Sequence, residues 1–188
     1  MGKPKLIIVE GAIGSGKSTL SRSLRENIPN STLLDLGSIG NDSQAHSFIY
    51  HSNILSMLFD VKLVQSNFIL SRSFISNEVY SRLGKKDYDN SDNFKYHVNR
   101  LKMLKMIYDI KIIILASNPD EFERRLSVRK KFQYVKHSVE ESIKQQREYL
   151  CIADELRESD LEVRVVNNGG LSQEDLYKLI VTELNLNG

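Results

Sequence analysis

Cysteine is almost missing from this chain: Cys151 is the one thiol in 188 residues. A lone thiol excludes an internal disulfide framework and suits a reducing compartment. It reads as a small apolar side chain on a helix rather than a reactive group, since no activating charge pattern surrounds it. Metal-site spacing is lacking as well. His46, His51, His97 and His137 neither pair with cysteine nor repeat at ligand intervals, which argues against zinc. Charge of one sign is not in excess either, because 26 basic against 24 acidic residues leave a formal +2. That is too little for a basic nucleic-acid track or an anionic-membrane surface. The apolar stretch after Lys5 is far too short to span a bilayer and does not read as a signal segment. Leucine at position 6 removes the hydroxyl residue a myristoylation signal needs. A soluble, cytoplasmic protein is expected.

Internal repeats, low-complexity tracts and interdomain linkers are lacking, so residues 1–188 are expected to form one domain. What is present is a strand–helix alternation. Five β-branched or leucine-rich runs, Leu6–Val9, Thr32–Leu34, Phe68–Leu70, Ile112–Leu115 and Leu161–Val166, predict strands. Helical patterns separate most of them, which is the signature of a parallel sheet covered on both faces. Asn118-Pro119-Asp120-Glu121 predicts a helix start, with a capping residue before a proline and acids in the first turn. Ser138 and Ser172 each precede acids at capping-box spacing. Leu101, Leu104 and Tyr108 share a helical face within 93–108. Polar turns are expected at 37–43, 84–92 and 167–170.

Directly after the first strand run, Gly11-Ala12-Ile13-Gly14-Ser15-Gly16-Lys17-Ser18 spells G-x-x-x-x-G-K-[ST]. Glycines there permit backbone angles and close approaches that a Cβ blocks, so successive amides can point at one phosphate chain. The helix that follows, with Leu20, Leu24 and Ile28 on one face, adds its positive end. Lys17 adds a full charge, and the Ser18 hydroxyl can ligate Mg²⁺. The alternative, a glycine-rich turn that binds nothing, leaves strand, turn and helix in register unexplained. This pattern predicts binding of a nucleoside triphosphate.

In open parallel sheets, ligands sit outside the carboxyl ends of the strands. Arg72 follows the third strand run, where it can reach a phosphate or hydroxyl that accepts a transferred group; a surface ion pair is the alternative. After the fourth run, Arg124, Arg125, Arg129, Lys130 and Lys131 form a dense cationic stretch. It reads as a lid that closes over ATP, since phosphoryl transfer mainly needs positioning and cations on the migrating group. A solvated helix end is the blander reading.

These three motifs in order resemble the thymidylate kinase and deoxynucleoside kinase superfamily across nearly the whole chain. Val9–Thr19 is similar to its phosphate loop, Ser71–Ser81 to an altered acid-Arg motif with downstream serine and tyrosine, and Ala116–Lys131 to the approach to its lid. The resemblance implies an α/β three-layer P-loop kinase fold with a five-stranded parallel sheet and a short lid. It implies ATP and Mg²⁺ as cofactors. ATP would lie along Gly11, Ala12, Ile13, Gly14, Ser15, Gly16, Lys17, Ser18 and Thr19, with Ser18 on the metal. Lys17 and Arg129 would stabilise the migrating group, Arg125 would lie near adenine or the ATP phosphates, and Lys131 would be a second lid cation. Arg72 would hold the acceptor's phosphate or 5′ oxygen, with Ser76 and Tyr80 lining its pocket. Asn167 and Asn168 fall where the family wraps backbone around adenine. A homodimer is implied by resemblance alone.

The chain departs from the family pattern twice. Ser71 replaces the acid before the arginine, leaving Glu10 or Asp35 to take over its metal or water contact. The signature after the second strand is also missing; Asp35 stands near that place, as a contact to acceptor or metal or simply as a turn opener. The leading expectation is an ATP-dependent kinase of a deoxynucleoside monophosphate, thymidylate kinase-like. A deoxynucleoside kinase acting on the 5′-hydroxyl is the alternative, and an ATP-binding module with decayed activity is the third reading. A DNA-directed kinase is disfavoured by the near-neutral charge.

Overall fold

The computed structural model describes residues 2–36, 43–60, 66–129 and 137–184. Five strands build the sheet: β1 (Lys5–Gly11), β2 (Ser31–Asp35), β3 (Asn67–Ser71), β4 (Asp109–Ala116) and β5 (Val163–Asn167). Helices α1 (Lys17–Asn27), α2 (Gln44–Asp60), α3 (Phe74–Arg82), α4 (Ser91–Leu104), α5 (Pro119–Arg129), α6 (Val139–Glu158) and α7 (Gln173–Glu183) connect and flank them. All pairings are parallel, in the order β2-β3-β1-β4-β5. The first crossover leaves β1 toward β3 and β2, while β4 and β5 lie on its other side. The strand order therefore reverses at β1, and the rule for open sheets puts the ligand at that strand's carboxyl end.

Why β1 is apolar at every step follows from its two neighbouring layers. Leu6 and Ile8 face a core shared with Leu58, Phe74, Leu101 and Tyr149, which belongs to α2, α3, α4 and α6. Ile7 and Val9 face the opposite core with Leu20, Leu24, Ile180 and Val181 from α1 and α7. A strand covered on both faces cannot alternate. The three helix starts marked in the sequence are capped as expected: Asn118 Oδ1 accepts from Glu121 N at 2.9 Å, Ser138 Oγ from Glu141 N at 3.0 Å, and Ser172 Oγ from Asp175 N at 3.1 Å.

Some boundaries differ. The last strand is displaced, running Val163–Asn167 rather than Leu161–Val166, because Leu161 is used as a buried plug before the strand, its amide on Leu156 O. The helix leading to β4 ends at Leu104, and Tyr108 lies beyond it; Tyr108 is nonetheless buried, with its hydroxyl donating to Leu58 O at 3.0 Å. Cys151 is on α6 as expected but exposed, not packed as an apolar side chain. The turn at 37–42 and the lid at 130–136 fall outside the described residues, as do Lys131 and the Arg129 side chain. No helix among the described residues is long and apolar enough to cross a membrane.

Candidate active site

Five residues, 12–16, carry the chain from β1 to α1. Gly11 has φ 143° and Gly16 φ 95°. A Cβ on Gly11 would stand 2.6 Å from Leu115 O, so the loop can lie against β4 only with glycine there. Gly16 caps α1 in the left-handed region, leaving the first amides of the helix directed into the loop. The Lys17 ammonium is buried and folds back on its own loop, donating to Ala12 O at 2.7 Å and to Gly11 O. The cradle and its cation are thus assembled from one short stretch.

A polar buttress fixes the loop from the far side. Asn168 follows β5, with its own amide on Ala116 O at 2.9 Å. Its buried side chain donates to Ser15 O and accepts from Ser117 Oγ. Arg125 from α5 joins it, donating to Gly14 O and Asn168 Oδ1, each at 3.3 Å. Glu121 holds Arg125 by its Nε and Arg124 at 2.6 Å. Hydrogen bonding to Arg124, with Arg125 adding to it, lowers the Glu121 carboxyl to a pKa of about 2. The sequence assigned Asn168 to an adenine wrap, but its side chain is spent on the phosphate loop. Asn167 Oδ1 accepts from Gly169 N at 3.0 Å, which shapes the turn. Thr19, Arg124, Arg125, Asn168 and Leu171 line a cavity of about 290 Å³ beside the loop, at the low end of small-ligand pockets.

A second cluster stands beside the first because β1 and β3 are hydrogen-bonded neighbours. Val9 pairs with Ser71, and the Arg72 amide donates to Val9 O at 3.0 Å. This pins Arg72 at φ 74°, in the left-handed region that a non-glycine residue rarely adopts. Such strain concentrates where a side chain must be aimed. Arg72 Nη1 donates to the Tyr80 hydroxyl at 3.3 Å. Next to it Glu10 is fully buried, with Ser73 Oγ donating to one oxygen and Ser76 Oγ to the other, both at 2.7 Å. Tyr149 OH on α6 meets Ser76 Oγ at 2.9 Å. Burial raises the Glu10 pKa against the pull of those hydroxyls, Lys17 and Arg72. Burial also lifts the Tyr149 phenol well above its ordinary value, and the Glu10 charge adds to that. Burial works to lower Arg72, but Tyr80, Tyr149 and Glu10 more than offset it, so the guanidinium stays charged.

The expected residues are therefore only partly gathered. Lys17 and Arg72 converge at neighbouring strand ends, with Tyr80 on Arg72. Ser76 is present but its hydroxyl is committed to Glu10. Asp35 is exposed on the edge strand, paired in register with Ser71, two strands away from the loop. Sequence reasoning missed Ser73, Tyr149, Ser117 and Glu121, whose roles depend on contacts between distant segments. Ser73 alone had a local signal, as the helix cap of α3. A further buried network was missed where α2, α3 and α4 meet: Asn77 bonds Ser47 Oγ and His51 Nε2, and His97 Nε2 lies 3.2 Å from Ser52 Oγ. Burial drives His51 down to about 3 and His97 to about 4, so both are neutral near pH 7.

The donor set suits a magnesium ion carried mainly by nucleotide phosphates. No cluster of three His, Cys, Asp or Glu side chains among the described residues could hold a metal alone. Mg²⁺ keeps several waters and needs few protein ligands. Ser71 Oγ is buried with no hydrogen-bond partner among the described residues, so it can accept one such water.

No protein-family model and no curated protein matches the sequence. Solved structures do. Thymidylate kinase from Candida albicans superposes with a TM-score of 0.66 at 18% identity, over 98% of this chain and 92% of that one. Deoxyadenosine kinase from M. mycoides, solved with dCMP and dCDP and again with dCTP, gives TM-scores of 0.58 and 0.59. Both comparisons are at 18% identity, over 96% of this chain and 98% of that one. The chain has the α/β fold of these P-loop kinases.

Proposed function

We propose that this protein transfers the γ-phosphoryl group of ATP to the phosphate of a deoxynucleoside monophosphate. One observation carries the reading: Arg72, a charged and strained arginine, is bonded through its amide to β1 two residues before the phosphate loop begins. An anion held by Arg72 and Tyr80 would lie beside a triphosphate held by residues 11–18. Phosphoryl transfer asks little else of a protein than such juxtaposition with cations around the migrating group. Lys17 would leave the loop carbonyls for the phosphates. Arg129 and Lys131 would supply further charge from the lid, and Arg125 would reach ATP by exchanging Gly14 O for phosphate oxygen. Mg²⁺, with Ser18 as its protein ligand, would neutralise charge on the triphosphate when bound.

The environment of Glu10 selects the acceptor. A hydroxyl acceptor needs a base within hydrogen-bond reach, whereas a phosphate is already anionic. Both Glu10 oxygens are engaged by serine hydroxyls, and the group is sealed from solvent. That makes it an anchor for Arg72 rather than a proton acceptor. Its raised pKa supports the second reading, a 5′-hydroxyl acceptor with Glu10 as base. The test is ADP release with Mg-ATP against all nucleosides and their monophosphates. The proposal requires turnover with a pyrimidine deoxynucleoside monophosphate well above any nucleoside. Turnover confined to nucleosides would replace it with the second reading, and ATP binding without acceptor-dependent turnover would leave only a binding module.

A further inference from the structure

Helix α6 lies across both halves of the site. On one face, four residues apart, it carries Gln145 and Tyr149. Tyr149 meets the acceptor cluster through Ser76, while Gln145 meets the donor loop: its Oε1 accepts from Ile13 N at 3.0 Å. Gln145 is 1% exposed. The orientation of its amide is fixed by chemistry, because a backbone N–H can bond only to the oxygen. The Nε2 group is then left over, and it has no hydrogen-bond partner among the described residues. A buried amide donor normally finds a partner, and leaving one unmade is costly.

The place of this donor within the loop says what would satisfy it. In a loop of this type the lysine reaches the β- and γ-phosphates. Here the Lys17 ammonium rests on the carbonyls of Gly11 and Ala12, the residues just before Ile13. The γ-end of a bound triphosphate therefore lies at the crest that Gln145 covers. We infer that Gln145 is a contact for the γ-phosphoryl group: Oε1 holds the Ile13 amide in place while Nε2 donates to a γ-oxygen. The assignment rests on the phosphate-loop reading above. It gives the migrating group a neutral, pre-aimed donor that is independent of the lid cations.

The test compares ADP with the non-transferable imido analogue of ATP, which differ by the γ-group, in the full-length protein. Calorimetric affinities and melting temperatures are measured for the parent, Gln145→Met and Gln145→Glu. Methionine removes both amide functions at similar size; glutamate keeps the acceptor for Ile13 N and removes the donor. Both variants are expected to bind ADP within about threefold of the parent and to lose about tenfold or more for the imido analogue, the scale of a charge-assisted hydrogen bond. Their kcat should fall by about 10²-fold, as when one pre-organised donor is removed. Parallel losses for ADP and the analogue, or an unchanged preference between them, would overturn the inference and make Gln145 a prop for the loop. Because the affinity ratio needs no acceptor, it is read even where the kinase proposal fails on turnover.

Discussion

The donor loop and the acceptor cluster sit side by side at two strand ends, yet they are built in opposite ways. The loop takes eight consecutive residues, and its chemistry is main-chain amides plus one lysine. The cluster takes Glu10, Arg72, Ser73, Ser76, Tyr80 and Tyr149 from β1, the turn after β3, α3 and α6. Its chemistry is side chains whose pKa values are moved by burial and by one another. A locally encoded site tolerates change elsewhere in the chain; a site assembled across the fold depends on every element that frames it. Donor binding should therefore be robust to substitution outside the loop, and acceptor recognition should be fragile.

The sharpest break of the donor half is Lys17→Ala. Turnover should fall by about 10³-fold or more, since this cation acts on the charge that moves in transfer. Circular dichroism should show an intact fold. An unchanged kcat would remove the loop from the mechanism.

Arg72→Gly breaks the acceptor half without touching the loop. Relief of the left-handed conformation is worth about 1–2 kcal/mol, roughly matched by the added entropy of glycine in the unfolded chain. The melting temperature should move by no more than about 2–4 °C. Losing one charge-assisted contact should raise the acceptor KM or lower kcat/KM by about 10- to 150-fold, with the ADP Kd unchanged. Equal weakening of ADP and acceptor would mean that the two halves are not separable.

Glu10→Gln sharpens the same contrast. An anchoring role predicts a kcat within about tenfold of the parent, whereas loss of a general base costs about 10²- to 10⁴-fold. Stability against pH gives an independent check. The folded-state pKa of Glu10 is raised, so its contribution is full below 4.5 and is lost as pH rises through the folded value. Glu10→Gln should remove that decline at higher pH. A urea series in which parent and variant keep the same pH dependence would contradict the burial argument.

The buried histidines act in the other direction. Their folded pKa values of about 3 and about 4 lie below the ordinary 6.5. Stability is then fully present above 6.5 and drains as pH falls toward 4, at up to about 2.7 kcal/mol per pH unit if both take up protons. His97→Gln should roughly halve that slope. The smallest effect expected is at a helix end: Ser172→Ala removes the cap of α7 and should cost about 1 kcal/mol without altering turnover.

These contrasts explain what could be read from the sequence. Strand positions, the three capped helices and the loop were legible because each is written in neighbouring residues: apolar runs, Asn-Pro or Ser before acids, glycines at fixed spacing. Tyr108 defeated a periodic reading because its spacing fits a helix while its burial comes from a turn that folds it under α2. The acceptor cluster was legible only at Arg72 and Tyr80, eight residues apart on a strand end and the helix after it. Nothing local marks Tyr149 or Gln145, which reach the site because α6 crosses the carboxyl edge of the sheet more than 130 residues after the loop begins. Asn168 shows the converse error: position alone pointed to adenine, and only the packing reveals an amide tied to Ser15 and Ser117.

The adjacency of the two halves is tested most directly with a bisubstrate compound, adenosine joined to a deoxynucleoside through a bridge of five phosphates, titrated by calorimetry with Mg²⁺. One molecule per chain should bind at least 100-fold more tightly than ADP, and Arg72→Gly should erase most of that gain while leaving ADP affinity as it was. Binding no tighter than ADP, or a gain that survives the loss of Arg72, would contradict an acceptor site beside the phosphate loop.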